Sequence, residues 1–316
     1  LIFGIGSGAV HQLRLAAADM YPPSRRAEGL GYVLTGSLVG AFGGPLLIRA
    51  AEASSPTLGL DPISLSWIFV PGVILPSLFL VLLINPDPKE IAGHLGRYYP
   101  GYVSAPFAGA RPDGEVNLLT FVRHYPKLTA FVASFAVQGN MNMIMAMTSL
   151  ALSHHGHPLS AISLSVAIHV VGMFGFSLPL GMLSDRLGRR AILLAGMVLA
   201  GGGSILVPMS PSYWIITAGT FLVGLGWSCV NVAAAALIAD TTSPPERGRA
   251  IGTNDTFSSA AAVVLPLAGG LWIELVGLPF LGVLGAALSY SFPRFQSLST
   301  SRAANLPEAP MTPPPG

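Results

Sequence analysis

The segment Gly181-Met-Leu-Ser-Asp-Arg-Leu-Gly188-Arg-Arg190 concentrates charge in a chain that is otherwise strongly apolar. Long apolar runs flank it, near residues 160–184 and 191–208. So short a polar segment between two such runs predicts a tight turn joining two helices. Gly181 and Gly188 suit this turn, because glycine permits unusual backbone angles and close contact between helices.

The charged residues of this segment predict specific contacts. Asp185 can cap the N-terminus of a neighbouring helix, where free backbone N–H groups and the helix dipole favour an anion. Arg189 and Arg190 can pair with a carboxylate, and we expect that partner to be Asp240, at the end of a later helix. Arg186 adds to the positive charge of the loop.

Composition explains what surrounds the segment. The 316 residues are 52% hydrophobic and only 9% charged, whereas a soluble domain carries about 25% charged residues. A chain with so few charges must present its surface to lipid. The net charge of +2 argues against a nucleic-acid partner.

The sequence therefore predicts an all-α integral membrane protein. A helix that spans the bilayer needs roughly 20 apolar residues, and about nine stretches meet that criterion. They lie near 1–19, 30–50, 64–85, 127–153, 160–184, 191–208, 213–239, 250–274 and 277–292.

Basic residues fall mainly on alternate polar segments. One side holds basic groups such as Arg25, Arg186, Arg247 and Arg294, and the other holds only Arg49. Because basic residues stay in the cytoplasm, we expect the richer side and the C-terminus to lie there. Short loops and the absence of an organelle-targeting segment favour a prokaryotic cytoplasmic membrane.

The chain also repeats itself. Asp19 ends one apolar stretch and precedes Pro22-Pro-Ser-Arg-Arg26, and Asp240 ends another and precedes Pro244-Pro-Glu-Arg247. In both places a glycine-containing apolar stretch follows. Repeated halves joined by a cytoplasmic linker are typical of secondary transporters, whose substrate site lies between the halves.

Residues 181–190 resemble the G-x-L-x-D-R-x-G-R-R/K loop of the major facilitator superfamily (MFS). The resemblance implies two six-helix bundles, with this loop joining helices eight and nine. The chain then corresponds to helices four to twelve of an expected twelve, without the first three. The implied domains are the remainder of the N-terminal bundle (1–85), a cytoplasmic linker (86–124), a C-terminal six-helix bundle (125–292) and a disordered proline-rich tail (293–316).

A second match supports the same family. Gly31, Gly40 and Gly44-Pro45 reproduce the spacing of the antiporter signature in helix five of the family, but Ile48-Arg49 replaces its closing glycine pair. This departure puts export by antiport in doubt. The glycines and the proline predict a thin, kinked helix surface suited to close packing.

Soft side chains suggest one possible cargo. Met143 and Met147 share a helical face, as do His169 and Met173, and thioethers with an imidazole suit Cu(I). The M-x-x-x-M and H-x-x-x-M pair resembles CcoA-like copper importers, whose relatives also carry riboflavin. The alternative for these residues is packing or contact with an organic substrate.

Other polar residues are weaker candidates. Asp255 is either a proton-coupling acid or a first-turn residue favoured by the helix dipole. The tract His154-His-Gly-His157 is either a metal-gathering loop or a plain interfacial loop. Arg14 either pairs with Asp19 or touches substrate.

The sequence thus predicts an MFS secondary transporter that moves a small solute or metal ion by alternating access. Its expected partners are the lipid bilayer and that solute, with no cofactor apart from a transported copper ion. The sequence lacks a G-x-x-x-x-G-K nucleotide-binding loop, so it gives no support for ATP as the energy source. It also shows no arrangement of residues typical of an enzyme active site. The alternatives are a proton-coupled transporter of an organic molecule or drug, and a truncated fragment that does not transport.

Overall fold

The computed structural model describes residues 13, 16–100, 102, 125–157, 159–276, 283 and 285–287, whose only regular elements are helices. This confirms the all-helical prediction for that part of the chain. Arg14, most of the predicted stretches 1–19 and 277–292, the linker residues 103–124 and the predicted tail lie outside the described residues.

A short 3-10 turn at Pro23–Arg25 precedes the first long helix. The helices are α1 (Arg26–Gly36), α2 (Leu38–Leu58), α3 (Pro62–Leu82), α4 (Pro88–Gly93), α5 (Leu95–Tyr98), α6 (Tyr125–His154), α7 (Leu159–Phe174), α8 (Ser177–Leu187), α9 (Arg189–Met209), α10 (Tyr213–Asp240) and α11 (Pro244–Val276).

Four helical segments of the described chain are long and apolar enough to cross a membrane. They are Pro126–His154, Ala161–Leu187, Arg189–Met209 and Tyr213–Asp240. These segments coincide with four of the predicted stretches, and the total of about nine stays a prediction. Along α3 many large apolar side chains are exposed, such as Phe79 at 66% and Leu82 at 74%.

Glycines allow α9 and α10 to pack at short range. A Cβ atom added to Gly203 would lie 2.4 Å from the carbonyl oxygen of Gly219, and one added to Gly226 would lie 2.5 Å from that of Gly196. Small residues at these positions let two backbones approach without side chains between them. Helix α10 also contacts α6, α7, α8 and α11, and most of its residues from Val223 to Ala239 are buried.

Polar side chains fix the register of α7 and α8 against α10. Four hydrogen bonds join them along their length: Tyr213 Oη to Ala161 O (2.9 Å), Thr217 Oγ1 to Ser165 Oγ (3.0 Å), His169 Nδ1 to Thr220 O (2.6 Å), and one between the hydroxyls of Ser177 and Ser228 (2.9 Å). Because slippage by one turn would break all four bonds together, this ladder specifies a single arrangement of the helices.

The predicted helix at 160–184 is in fact broken, which corrects the expectation of a continuous span. Gly175 and Phe176 separate α7 from α8. The Ser177 hydroxyl donates to the Met173 carbonyl at 2.9 Å, so a side chain satisfies one of the carbonyl groups at the end of α7. The uninterrupted apolar pattern across the break hid it from sequence analysis.

A similar interruption divides the predicted stretch 30–50. Ser37 separates α1 from α2, and α2 continues to Leu58. Only part of the expected glycine surface makes close contact. Gly31 packs against α8, but a Cβ atom added to Gly40 would meet no atom of the described residues within 4 Å. The predicted role of Gly40 in close packing is therefore not seen, whereas Gly44 and Pro45 lie within α2.

Candidate functional site

Asp185, which belongs to α8, lies against the N-terminus of α1. Its carboxylate accepts hydrogen bonds from the backbone N–H groups of Glu28, at 2.9 Å, and Ala27, at 3.3 Å. These donors are in the first turn of α1, where no earlier residue of the helix can satisfy them. The carboxylate also complements the positive end of the helix dipole.

Two glycines make this approach possible. A Cβ atom added to Gly181 would lie 2.2 Å from the carbonyl oxygen of Ala27, and one added to Gly31 would lie 2.7 Å from Leu178 Cα. Helices α1 and α8 therefore meet backbone to backbone. Gly188 serves the turn instead, because its φ of 93° is one that side-chain-bearing residues rarely adopt.

Asp240 receives two guanidinium groups from different parts of the chain. Arg26 Nη1, at the start of α1, lies 2.8 Å from Oδ1, and Arg189 Nε, at the start of α9, lies 3.0 Å from Oδ2. Arg189 also pairs with Asp185 and donates to the carbonyl oxygen of Pro23 at 2.9 Å. These residues form a connected charge network between the two repeats.

A second ion pair lies beside this network. Arg247, near the start of α11, pairs with Asp19 and donates from Nε to the carbonyl oxygen of Ala239 at 3.2 Å. Burial, the largest influence on this guanidinium, lowers the pKa of Arg247. The pairing is crossed, because Asp19 of the first repeat meets Arg247 of the second and Asp240 of the second meets Arg26 of the first.

We call Asp19, Arg26, Asp185, Arg189, Asp240 and Arg247 the charge cluster. Sequence analysis proposed Asp185, Arg189 and Asp240 for it. It missed the other three, although the repeated pattern of an aspartate followed by a basic loop contained the signal. Arg186 and Arg190 were also proposed, and the structure leaves both of them exposed.

Arg25 lies beside the charge cluster and pairs with Glu28. Its guanidinium donates to both carboxylate oxygens of Glu28, at 2.6 and 2.8 Å. These hydrogen bonds lower the pKa of Glu28. The same guanidinium lies 5.8 Å from the ring centroid of Tyr21 and 6.0 Å from that of Tyr99, so the segment after α5 packs against the loop before α1.

The residues proposed for copper lie on α6 and α7. Met143 and Met147 belong to its buried apolar core, and Met173 packs against that core. His169 is 2% exposed and its Nδ1 forms the hydrogen bond to Thr220, while its Nε2 is buried without a hydrogen-bond partner among the described residues. The described residues contain no cluster of three or more His, Cys, Asp or Glu side chains suited to a metal.

Asp255 is not a first-turn residue, and that expectation was wrong. Helix α11 begins at Pro244, so Asp255 lies about three turns inside it. The sequence Ser243-Pro-Pro-Glu246 has the pattern of a capping box and could have located the true start. The two residues contact each other through their side chains, because the Ser243 hydroxyl donates to the Glu246 carboxylate at 2.7 Å.

Four residues near the middle of the bundle escaped sequence analysis, and we call them the midplane patch: Gln138, Asn142, Phe174 and Trp227. Trp227 Nε1 donates to Gln138 Oε1 at 2.7 Å, and Asn142 Nδ2 donates to the backbone carbonyl of Gln138 at 2.8 Å. The rings of Phe174 and Trp227 are perpendicular, with centroids 5.7 Å apart. Two amides four residues apart in an apolar helix were the available signal.

Comparison with known proteins identifies the family. Residues 129–293, more than half of the chain, match the Major Facilitator Superfamily. The chain is 28% identical over 297 residues to the uncharacterized MFS-type transporter YdeG of Bacillus subtilis, with 92% of the chain and 66% of that protein covered.

Two further relatives have more specific names. The riboflavin transporter RfnT of Brucella anthropi is 28% identical over 257 residues, which cover 81% of the chain and 60% of that protein. The multidrug resistance protein MdtH of Yersinia pestis is 31% identical over 118 residues, or 37% of the chain and 28% of that protein. The chain thus spans at most about two thirds of these relatives. From the family match and the apolar helices, we conclude that this multi-pass membrane protein belongs to the Major Facilitator Superfamily of transporters.

Proposed function

We propose that the protein is a secondary transporter that moves a small organic solute by alternating access, and that the charge cluster is its cytoplasmic gate. The observation that carries this proposal is the crossed pairing of the two repeats. Asp19 with Arg247, and Asp240 with Arg26, each join one repeat to the other. Two halves that rock about a central site must separate at such contacts.

The burial of the arginines makes these contacts suitable for a gate. Arg26 is 8% exposed and Arg247 is 4% exposed. Removal of one partner from a buried ion pair costs about 3–5 kcal/mol because the other charge is left uncompensated. When the halves rock apart, however, water reaches both charges and replaces their pairing. The cluster therefore holds the closed state through contacts that hydration can replace.

Asp185 adds a contact of a different kind. Its carboxylate binds the N-terminal amides of α1, while Arg189 links it to Asp240. Movement of α1 away from α8 would break the charge–dipole contact and disturb the ion pairs together. A small displacement can thus switch the whole network between two discrete arrangements.

The proposed orientation follows from the basic residues. They are concentrated on the side of the charge cluster, so that side is proposed to face the cytoplasm of a prokaryotic cell. Asp255, inside α11, is the proposed proton-coupling acid, because a carboxylate within a membrane helix is costly unless it has a function.

An organic cargo fits the bundle better than a metal does. Met143 and Met147 pack in the apolar core, where thioethers serve as adaptable filling. One relative is named a riboflavin transporter and another a multidrug resistance protein. We therefore favour a small organic solute as the cargo.

Copper is retained as a second candidate on one observation. With Nδ1 as the donor to Thr220, the buried Nε2 of His169 carries the free lone pair that a metal ligand needs. Copper content of cells that lack their own uptake system tests this. A Met143→Ala/His169→Ala variant that loses copper accumulation at equal membrane level supports copper, and unchanged accumulation excludes these residues as its site.

The gate is tested by the accessibility of Ser184, which is buried beside Asp185. A Ser184→Cys variant in inside-out vesicles is treated with a membrane-impermeant maleimide. We expect slow labelling, and much faster labelling when Asp240→Asn is added. Arg190→Gln, which removes an exposed arginine of the same loop, is the matched control. Equal labelling of all three proteins would refute a gate at this position.

A further inference from the structure

We propose that the midplane patch binds the solute, and that the solute is a flat, uncharged heteroaromatic molecule with adjacent carbonyl and N–H groups on one edge. This inference rests on the proposed function, because it names the substrate class of the same transporter.

The patch lies at mid-depth in three helices. Gln138 is about 20 Å along α6, a helix about 45 Å long, and Trp227 is about 21 Å along α10, which is about 42 Å long. The break at Gly175 and Phe176 lies halfway along the span Ala161–Leu187. Discontinuous helices at the bilayer midplane are where secondary transporters build substrate sites.

Phe174 is positioned between the two parts of the molecule. Phe174 packs against the large apolar core and also against the smaller cluster formed by Ala18, α1 and α10. The perpendicular rings of Phe174 and Trp227 form a corner. Phe174 is the more exposed of the two, so a flat ligand would stack on it with Trp227 beneath.

Hydrogen bonds fix the orientation of the two side-chain amides of the patch. The indole N–H of Trp227 can only donate, so the Gln138 atom it contacts must be the oxygen. The NH₂ group of Gln138 is therefore turned away from Trp227. Asn142 uses its own NH₂ group on the Gln138 backbone, which leaves its side-chain oxygen as an acceptor.

These open groups define the edge of the ligand. Among the described residues, the Gln138 amide nitrogen and the Asn142 side-chain oxygen have no hydrogen-bond partner. Both side chains are partly exposed, and their spacing of four places them on one face of α6. A donor beside an acceptor complements a carbonyl next to an N–H group, as in an imide or a lactam ring.

The absence of charge in the patch excludes an ionic ligand at that position. None of its four residues is ionisable, and an unpaired charge in a membrane interior is strongly disfavoured. A soft metal would find only amide groups and aromatic rings there, without a thiolate, thioether or imidazole among the four. The patch therefore selects neutral heterocycles.

Equilibrium binding to the full-length protein in lipid nanodiscs tests this inference. The probes are riboflavin and uridine, which are neutral and carry an imide edge, and flavin mononucleotide, which adds a charged phosphate to the riboflavin ring. We expect at least one neutral probe to bind below about 1 mM and flavin mononucleotide to bind at least about tenfold more weakly than riboflavin if riboflavin is the ligand.

Variants identify the site. Phe174→Ala and Gln138→Leu should each weaken binding of the neutral probe about tenfold, the scale of one stacking contact or hydrogen bond. Trp214→Ala, which removes an exposed aromatic near the start of α10, should leave binding unchanged. Equal thermal stability of the variants shows that the bundle is intact.

Two results would overturn the inference: neither neutral probe binds, or a probe binds with the same affinity to wild type, Phe174→Ala and Gln138→Leu. Either result leaves the proposed function standing if the Ser184→Cys labelling still responds to Asp240→Asn. Conversely, a site lost in both variants alongside labelling that does not respond would support the patch and refute the gate.

Discussion

An exchange of charges within the crossed pairs offers a demanding test of the gate. Arg247→Asp alone places a carboxylate beside Asp19, and Asp19→Arg alone places two guanidinium groups together. Each single change should open the cluster. The double variant restores an opposite pair. The carboxylate at position 247 would then lie near both Arg26 and Asp240, whose opposite charges both act on this position.

The same exchange at the other pair should succeed less well. Asp240 is shared, because it accepts from both Arg26 and Arg189. Asp240→Arg in the double variant with Arg26→Asp would therefore place an arginine beside Arg189. The structure thus predicts a clear order of rescue, with the Asp19/Arg247 exchange above the Asp240/Arg26 exchange.

The expected rise in the open population follows from the burial of the ion pairs. Loss of one partner of a buried pair costs about 3–5 kcal/mol, but the carboxylates here are partly exposed, with Asp240 at 26% and Asp19 at 30% of their side-chain surface. Solvent screening reduces the cost to about 1–3 kcal/mol. Since 1.4 kcal/mol is a factor of ten, the open population should rise roughly 5- to 150-fold in each single variant.

The assay is the labelling rate of Ser184→Cys in inside-out vesicles. Both single changes at the Asp19/Arg247 pair should accelerate labelling, and their combination should return the rate to within about threefold of the parent. If the double variant labels as fast as the faster single variant, the two residues do not act as a pair, and the reasoning fails.

Three further predictions concern the surrounding residues. Gly181→Ala should destabilise the α1–α8 contact, because the added Cβ would lie 2.2 Å from the Ala27 oxygen. Gly40→Ala should be neutral or slightly stabilising in thermal unfolding. Equal losses of unfolding temperature in the two variants would contradict the packing. The lowered pKa of Glu28 adds stability that is fully present above its unfolded pKa of about 4.3 and is lost as the pH falls through its lower folded pKa. Wild type and Glu28→Gln should therefore converge in unfolding temperature at acid pH, and a constant difference would exclude this ion pair as the cause. Asp255→Asn should abolish proton-driven accumulation while it preserves solute exchange, and unchanged accumulation would exclude Asp255 as the coupling acid.

Much of the architecture was predictable because long apolar runs between charged turns have few other solutions in a membrane. The contact between Arg189 and Asp240 could also be anticipated, since Arg189 begins one helix and Asp240 ends another on the same predicted side. The repeat also marked Arg26 and Arg247 as candidates, but it could not reveal their partners, because a sequence repeat does not show that each aspartate pairs with the other repeat.

The midplane patch could not be predicted from the sequence for a different reason. Gln138 and Trp227 are 89 residues apart, and only the packing of α6 against α10 brings them together. The break after Phe174 was equally hidden, since Gly175 and Phe176 are compatible with an apolar helix and the cap comes from the Ser177 side chain. The apolar pattern of a sequence predicts where a helix lies more reliably than it predicts a break in the helix within an apolar segment.

The distance between the two sides of the charge cluster tests the central claim most directly. Spin labels at Ser24 and Arg190, both exposed, can be introduced in a Cys229→Ser background, and the distance distribution can be measured in nanodiscs. The gate predicts one short distance in the parent and an additional longer population when Asp240→Asn is present. An unchanged single distance in the Asp240→Asn protein would contradict the claim that these ion pairs hold the halves together.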